Sequence, residues 1–317
     1  MSPIAIGIHG GCGTLDISRL PESQWAEARE HLAASLKAGW KVLAGGGHAV
    51  DAVEAAVVVM EDSPHFNAGH GAALTEAGDH ELDASIMRGD TLAAGAVSAV
   101  RHVRNPILAA RAVMEKSDCV LMTGDGADEF AKRAGLAMVE NTYFTTERRT
   151  DALASLKKRR ASGTIHMASE AERHGTVGAV ALDTNGNLAA ATSTGGFNNK
   201  PVGRVGDSAV IGAGTYAKNG VCAVSCTGQG EFFIRHAASH DIAARMEYAG
   251  QPFDAATSAI IETMKGYRIG AGLVAIDAAG RVVAPFNTLG MYRGWVTTAG
   301  ELTVATHQEL HQLGSLR

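Results

Sequence analysis

The stretch HGTVGAVALDTNGNLAAATSTGG, residues 174–196, decides how this chain reads. Small and apolar residues run from Thr176 to Asp183, stop at Thr184-Asn185-Gly186, and resume from Asn187 to Thr194. That is the pattern of two strands joined by a tight turn. With a three-residue turn and Gly186 in the left-handed position, Asp183 pairs with Asn187 and Thr194 falls opposite Thr176 on the same face. A two-residue Asn-Gly turn would slip the register by one and send Thr194 to the other face.

The stretch begins abruptly. Residues 145–174 are polar and highly charged, with little apolar periodicity beyond a short helix near Leu153–Leu156, and read as a mobile, exposed segment. Order returns at Gly175-Thr176. A threonine hydroxyl is a poor nucleophile without a base to take its proton. An α-amino group on the same residue can serve, with a reference pKa of about 7.7–8.0 against about 10.4 for lysine. That amine exists only if the bond before Thr176 is cut. Gly175-Thr176 thus reads either as a loop entering a strand or as such a cleavage site, with Thr176 and Thr194 as paired hydroxyls.

Two further segments suit the same chemistry. Thr227-Gly228-Gln229-Gly230 lies where a strand gives way to a helix, so backbone N–H groups and the Thr227 hydroxyl can face a developing oxyanion. Gly203-Arg204-Val205-Gly206-Asp207 sets a cation and an anion close together, either as a grip for an α-carboxylate and an α-ammonium or as an internal salt bridge.

Other chemistries are not supported. There is no G-x-S-x-G elbow, P-loop or dinucleotide fingerprint. His236 and His240, and likewise His307 and His311, stand four apart but lack the Glu of a metalloprotease helix. A net charge of −5 favours neither nucleic acid nor an anionic membrane as partner. The basic run at 157–160 reads as a solvated face. No apolar run is long enough to span a bilayer, and no signal peptide or glycosylation sequon is legible, so a cytoplasmic protein is expected. The four cysteines read as reduced, buried thiols.

Outside the hairpin, apolar spacing predicts a helix after Pro21 through Trp25, Ala28, Leu32, Leu36, Trp40 and Leu43, and a second through Val50, Val53, Val57 and Met60. Strands are expected at 4–8, 82–87, 94–103, 119–122, 209–213, 221–226, 273–277, 281–285 and 291–297. Further helices are expected at 106–114, 127–133, 230–248 and 253–267. That mixed order, with antiparallel hairpins, points to helices packed outside stacked sheets.

Taken together, IHGG, FNAGHGA, HELDASIMRG, HGTVGAVALD, TSTGGF, GRVGDS, GAGTYA and SCTGQGE, in this order, resemble the plant-type L-asparaginases, also called isoaspartyl peptidases. The resemblance covers about residues 4–297. It implies an α+β fold, the four-layer αββα sandwich of the N-terminal-nucleophile hydrolases. The implied chain splits into residues 1–175 and 176–317, which stay together as one folded domain, and two such pairs associate. Implied too are Thr176 as nucleophile, Thr194 as its support, and Thr227 with Gly228 as oxyanion hole. Arg204 would hold the substrate α-carboxylate, Asp207 and Gly230 the α-amino group, and Asn67 would lie near the nucleophile. No cofactor enters the chemistry. A structural sodium ion would sit on the backbone carbonyls of Met60, Glu61, Ser63, Phe66, Ala68 and His70. The substrates expected are L-asparagine and β-aspartyl dipeptides. The alternatives are a glycosylasparaginase, against which Gly175 counts because those enzymes carry Asp there, and an uncut protein that only binds aspartyl ligands.

Overall fold

The computed structural model describes residues 2–13, 21–162 and 175–316. The part of the expected mobile segment at 163–174, His174 included, lies outside them.

Strand β1 (Ala5–Gly13) is followed by two helices, α1 (Glu22–Ala44) and α2 (Ala49–Glu61). The three-and-four spacing predicted for α1 is the buried face: Trp25, Ala28, Leu32, Leu36, Trp40 and Leu43 all point inward. Fully burying Leu32 and Leu36 contributes about 1.5–3 kcal/mol each. Gly39 lets α1 sit close to its neighbours, because a Cβ there would overlap Ile6 and stand 2.8 Å from the Ala52 carbonyl.

Strands β2 (Leu82–Arg88) and β3 (Ala94–Val100) precede α3 (Pro106–Lys116), β4 (Leu121–Thr123) and α4 (Gly124–Arg133). Next comes a helix that the sequence reading largely missed, α5 (Glu147–Ala161), where a mobile segment is expected. Leu153 and Leu156 are its buried apolar contacts, and the third inward residue is Arg149, whose Nε donates to the Gly71 carbonyl at 2.7 Å.

The central hairpin is β5 (Val177–Leu182) and β6 (Leu188–Thr194). Val177 pairs with Ser193 and Leu182 with Leu188, the register of the three-residue turn. Gly186 has φ 79°, and its N–H donates to the Asp183 carbonyl at 3.0 Å. The remaining strands are β7 (Thr215–Lys218), β8 (Cys222–Gly228), β9 (Ala271–Asp277), β10 (Val282–Val283), β11 (Gly290–Val296), β12 (Glu301–Ala305) and β13 (His311–Ser315). The helices are α6 (Gly230–His236), α7 (Ala238–Glu247) and α8 (Phe253–Gly266). The single helix expected over 230–248 is thus two, broken at Ala237, which has φ 45°. The strand expected at 209–213 is instead a turn region leading into β7, while β12 and β13 were not foreseen.

Among the described residues, the strands form a nine-stranded sheet, β13-β12-β11-β1-β5-β6-β2-β3-β4, and a four-stranded sheet, β10-β9-β8-β7. Three apolar cores hold them. One joins α1, α2 and α3 to the large sheet through residues such as Leu32, Val53, Ile107 and Ala179. A second lies between the sheets, with Val180, Leu188, Ala223 and Val274. A third joins the small sheet to α7 and α8 through Val224, Ile242, Ile260 and Leu273.

Candidate active site

Thr176 stands just before β5, in the middle of the large sheet, and is 5% exposed. Its Oγ1 lies 2.7 Å from the Gly175 carbonyl oxygen and 3.2 Å from Thr194 Oγ1, as the hairpin register requires. The Gly175 carbonyl also accepts from Thr194 Oγ1 at 3.0 Å and from Asn67 Nδ2 at 2.8 Å. Asn67 is itself fixed: its Nδ2 donates to the Gly196 carbonyl at 2.6 Å, and its Oδ1 accepts the Ala73 N–H at 2.6 Å. Thr194 Oγ1 accepts the Gly196 N–H at 2.9 Å, so its own proton is free to point at Gly175.

Two glycines make this packing possible. A Cβ at Gly175 would stand 2.9 Å from Asn67 Cβ. In β1 the pairing with β11 shifts between His9 and Gly11, and Gly11 takes φ 105°. Its backbone then lies against the bond in question, where a Cβ would stand 3.1 Å from Gly175 Cα and 3.2 Å from the Thr176 nitrogen. The second glycine of the IHGG motif, Gly11, has this role, which the sequence reading did not assign, whereas Gly10 makes room for the Phe66 ring.

Asp207, Arg204 and Gly230 converge at a second point. A Cβ at Gly230 would lie 2.7 Å from Asp207 Oδ1 and 3.1 Å from Arg204 Nη2. Asp207 is buried, and its Oδ2 has no hydrogen-bond partner among the described residues. Burial pushes its carboxyl up to about 7, against the pull of Arg204. Arg204 does not bond to Asp207. Its Nε donates to Glu231 Oε1 at 3.0 Å, its Nη2 forms an ion pair with the same oxygen at 2.9 Å, and its guanidinium stacks over the Phe197 ring at 4.7 Å. Glu231 is the polar residue that sequence reasoning passed over, although it closes the SCTGQGE motif. Thr227, at the end of β8, is 1% exposed, and its Oγ1 is likewise without a partner among the described residues. Buried polar atoms normally find partners, so these two are available to a ligand's polar groups.

A family profile described as asparaginase matches residues 1–306. The chain belongs to the asparaginase family. It is 46% identical over 313 residues to the isoaspartyl peptidase of Escherichia coli strain K12, covering 98% of each chain. It is 44% identical over 291 residues to the isoaspartyl peptidase/L-asparaginase of Xenopus laevis, covering 91% of this chain and 90% of that one. A plant relative, "Probable isoaspartyl peptidase/L-asparaginase 2" of Arabidopsis thaliana, is 40% identical over 324 residues, with 95% and 98% covered.

The loop on which the resemblance places a cation runs through residues 60–71. Its backbone closes tightly: a Cβ at Gly71 would stand 2.8 Å from the Pro64 carbonyl and 2.9 Å from that of Phe66. The Glu61 carbonyl accepts the His70 N–H at 2.7 Å, and Arg148 Nη2 donates to the carbonyls of Pro64 and His65 at 3.0 and 3.1 Å. Of the six carbonyls expected to hold a cation, that of Glu61 thus already accepts within the chain, and the Arg148 contacts fall on two carbonyls outside the set. Of the cysteines, Cys12, Cys222 and Cys226 are buried and in no disulfide, whereas Cys119 is exposed, contrary to expectation. No helix among the described residues is long and apolar enough to cross a membrane.

Proposed function

We propose that this protein is a self-cleaving isoaspartyl peptidase and L-asparaginase whose nucleophile is Thr176. The observation that carries the reading is the Gly175 carbonyl, held by Thr194 and Asn67 beside the Thr176 hydroxyl. Attack of Thr176 Oγ1 on the Gly175 carbonyl carbon puts negative charge on the oxygen those two donors already face. Collapse expels the Thr176 nitrogen, which takes up the hydroxyl proton, and leaves an ester. Water cleaves the ester, freeing a carboxylate on residue 175 and the hydroxyl of Thr176, whose α-amine the collapse has already released.

That amine is then the base for turnover. It takes the Thr176 hydroxyl proton as Oγ1 attacks the side-chain carbonyl of an aspartyl substrate. Thr227 Oγ1 and the Gly228 N–H serve the new oxyanion, each donor being worth about 3–4 kcal/mol in the barrier. Arg204 receives the substrate α-carboxylate, and Asp207 with Gly230 receives the α-ammonium. The amine or ammonia departs with the proton, and water releases L-aspartate.

The finer architecture belongs to the same reading: three cores between four layers support the αββα sandwich of the N-terminal-nucleophile hydrolases. The fragments 1–175 and 176–317 stay together, and two such pairs form a cytoplasmic dimer of heterodimers. A sodium ion on the carbonyls of Met60, Glu61, Ser63, Phe66, Ala68 and His70 would hold the loop that carries Asn67. It would act there as a structural ion.

The test is a mass spectrum of the purified protein, with assays on a β-aspartyl dipeptide, L-asparagine and a glycosyl-asparagine. Two chains with a new N-terminus at Thr176, and turnover of the first two substrates, are expected. Thr176→Ala should abolish both cutting and turnover. Turnover of the sugar substrate alone would make the protein a glycosylasparaginase. A chain that stays whole and inactive would make it a binding protein.

A further inference from the structure

Between the two sheets runs a line of side chains that none of these steps uses. His9 on β1, Ser225 on β8, Thr192 on β6, Thr215 on β7 and Ser85 on β2 are each 0% exposed. The line starts at the nucleophile's own carbonyl: His9 Nδ1 lies 3.1 Å from the Thr176 oxygen, and His9 Nε2 lies 2.9 Å from Ser225 Oγ. Ser225 Oγ is 2.6 Å from Thr192 Oγ1, which is 2.6 Å from Thr215 Oγ1. Thr215 Oγ1 is 2.8 Å from Ser85 Oγ, whose hydroxyl donates to the Ser208 carbonyl at 2.6 Å. Gly178 keeps the line open, since a Cβ there would overlap Ser225 Oγ and stand 2.6 Å from His9 Nε2.

The donor inventory orients the protons. Both ends of the line are carbonyl oxygens, which only accept. The contact to Thr176 therefore requires a hydrogen on His9 Nδ1. Burial drives the imidazole down to about 3, so the ring is neutral and Nε2 is a bare acceptor. Ser225 must then donate to Nε2. At the far end, Ser85 must donate to Ser208. Five protons serve six contacts along the line, so one of the hydroxyl–hydroxyl contacts lacks a hydrogen, and the Gly214 carbonyl, 3.4 Å from Thr192 Oγ1, draws on the same protons.

We propose that His9 is a positioning residue for the nucleophile, and that the hydroxyl line behind it fixes the ring tautomer so that Nδ1–H stays on the Thr176 carbonyl. The proposal rests on Thr176 being the nucleophile. The pairing of β5 with β6 begins only at Val177, and that with β1 only at Gly178. Once the bond before it is cut, Thr176 is a chain end with its carbonyl as its main backbone anchor. Rotation there would swing both the amine and the hydroxyl. A misplacement of about 1 Å in a reacting group can cost about 10²-fold in rate.

The first measurement is the His9 tautomer, read by 15N–1H correlation on the full protein with 15N-labelled histidine and assigned by difference from His9→Asn. A neutral ring protonated on Nδ1, unchanged across about pH 5–8, is expected. A ring protonated on Nε2, or one that titrates in that interval, overturns the proposal. This reading does not depend on turnover, so it stands apart from the fate of the Thr176 assignment. The second measurement is kinetic. His9→Gln keeps a group near Nε2 and loses the Nδ1 donor, so kcat should fall by about 10²-fold with KM little changed. His9→Asn places an amide N–H near Nδ1 and should recover most of that loss. Equal losses in both variants, a loss confined to KM, or wild-type kinetics in both would overturn it.

Discussion

Thr176 and Thr194 face each other across the open end of the β5–β6 hairpin, hydroxyl to hydroxyl at 3.2 Å, and both reach the Gly175 carbonyl. In the proposed reading, that shared acceptor would make Thr194 a participant in bond cleavage as well as a neighbour of the nucleophile. Thr194→Val removes one of the donors to that carbonyl. Self-cleavage should slow by about 10²–10³-fold, followed as loss of the full-length band on a denaturing gel, while Thr194→Ser should stay near the wild-type rate.

Asn67 and Thr227 should separate the two reactions. Asn67 Nδ2 donates to the Gly175 oxygen, whereas Thr227 Oγ1 has no partner among the described residues. Asn67→Ala should therefore delay cutting. Thr227→Ala should leave cutting close to normal and lower kcat on a β-aspartyl dipeptide by about 10²-fold or more. Time courses of chain cleavage and of dipeptide turnover, taken on the same preparations, check both.

The Asp207 carboxyl, raised from 3.8 to about 7, gives a pH dependence with a definite sign. The folded protein holds this proton more tightly than the unfolded chain does. Asp207 therefore contributes stability that is fully present below pH 3.8 and is lost as pH rises through about 7. Binding runs the other way, since a substrate ammonium needs the carboxylate. Calorimetry in buffers of different ionisation enthalpy should show a proton released on binding below about pH 7 and little release above it.

Gly178→Ala is expected to be costly wherever the protein is probed. Its methyl would collide with Ser225 Oγ in a region with no exposed atoms to yield. Overpacking of this kind costs about 1–3 kcal/mol, visible as a lower denaturant midpoint with an unchanged slope.

Much of this was legible along the chain, and the exceptions share a cause. The hairpin register followed from one turn residue, Gly186, because a turn type fixes every pair behind it. Helix α1 followed from its apolar spacing. Helix α5 did not, because one of its inward residues is an arginine, and a search for apolar periodicity cannot see Arg149 reaching the Gly71 carbonyl. The turn at 209–213 read as a strand because its residues are small and apolar. In the structure, Gly212 takes φ 89° and Gly214 packs on Asp207, which turns the chain there. At the site, the grouping of Arg204 and Asp207 was visible from their spacing, but the pairing of Arg204 with Glu231 was not. That choice is made across 27 residues by where α6 begins. The line from His9 to Ser85 draws on five separate strands, so no local pattern announces it.

The strand order carries a consequence for how the protein is made. From the first 175 residues come β1 to β4, and from the remainder come β5 to β13. In the large sheet they interleave: β1 lies between β11 and β5, and β6 lies against β2. Each fragment thus supplies template edges that the other completes. The intact chain can assemble this sheet as one molecule, at a rate independent of its concentration. If the bond at Gly175 is broken as proposed, a molecule that then unfolds has to find its other half again by diffusion. Recovery from denaturation would then be second-order and dilution-sensitive, so the proposed cut would turn a refoldable polypeptide into an assembly whose history cannot be rerun from its parts at low concentration.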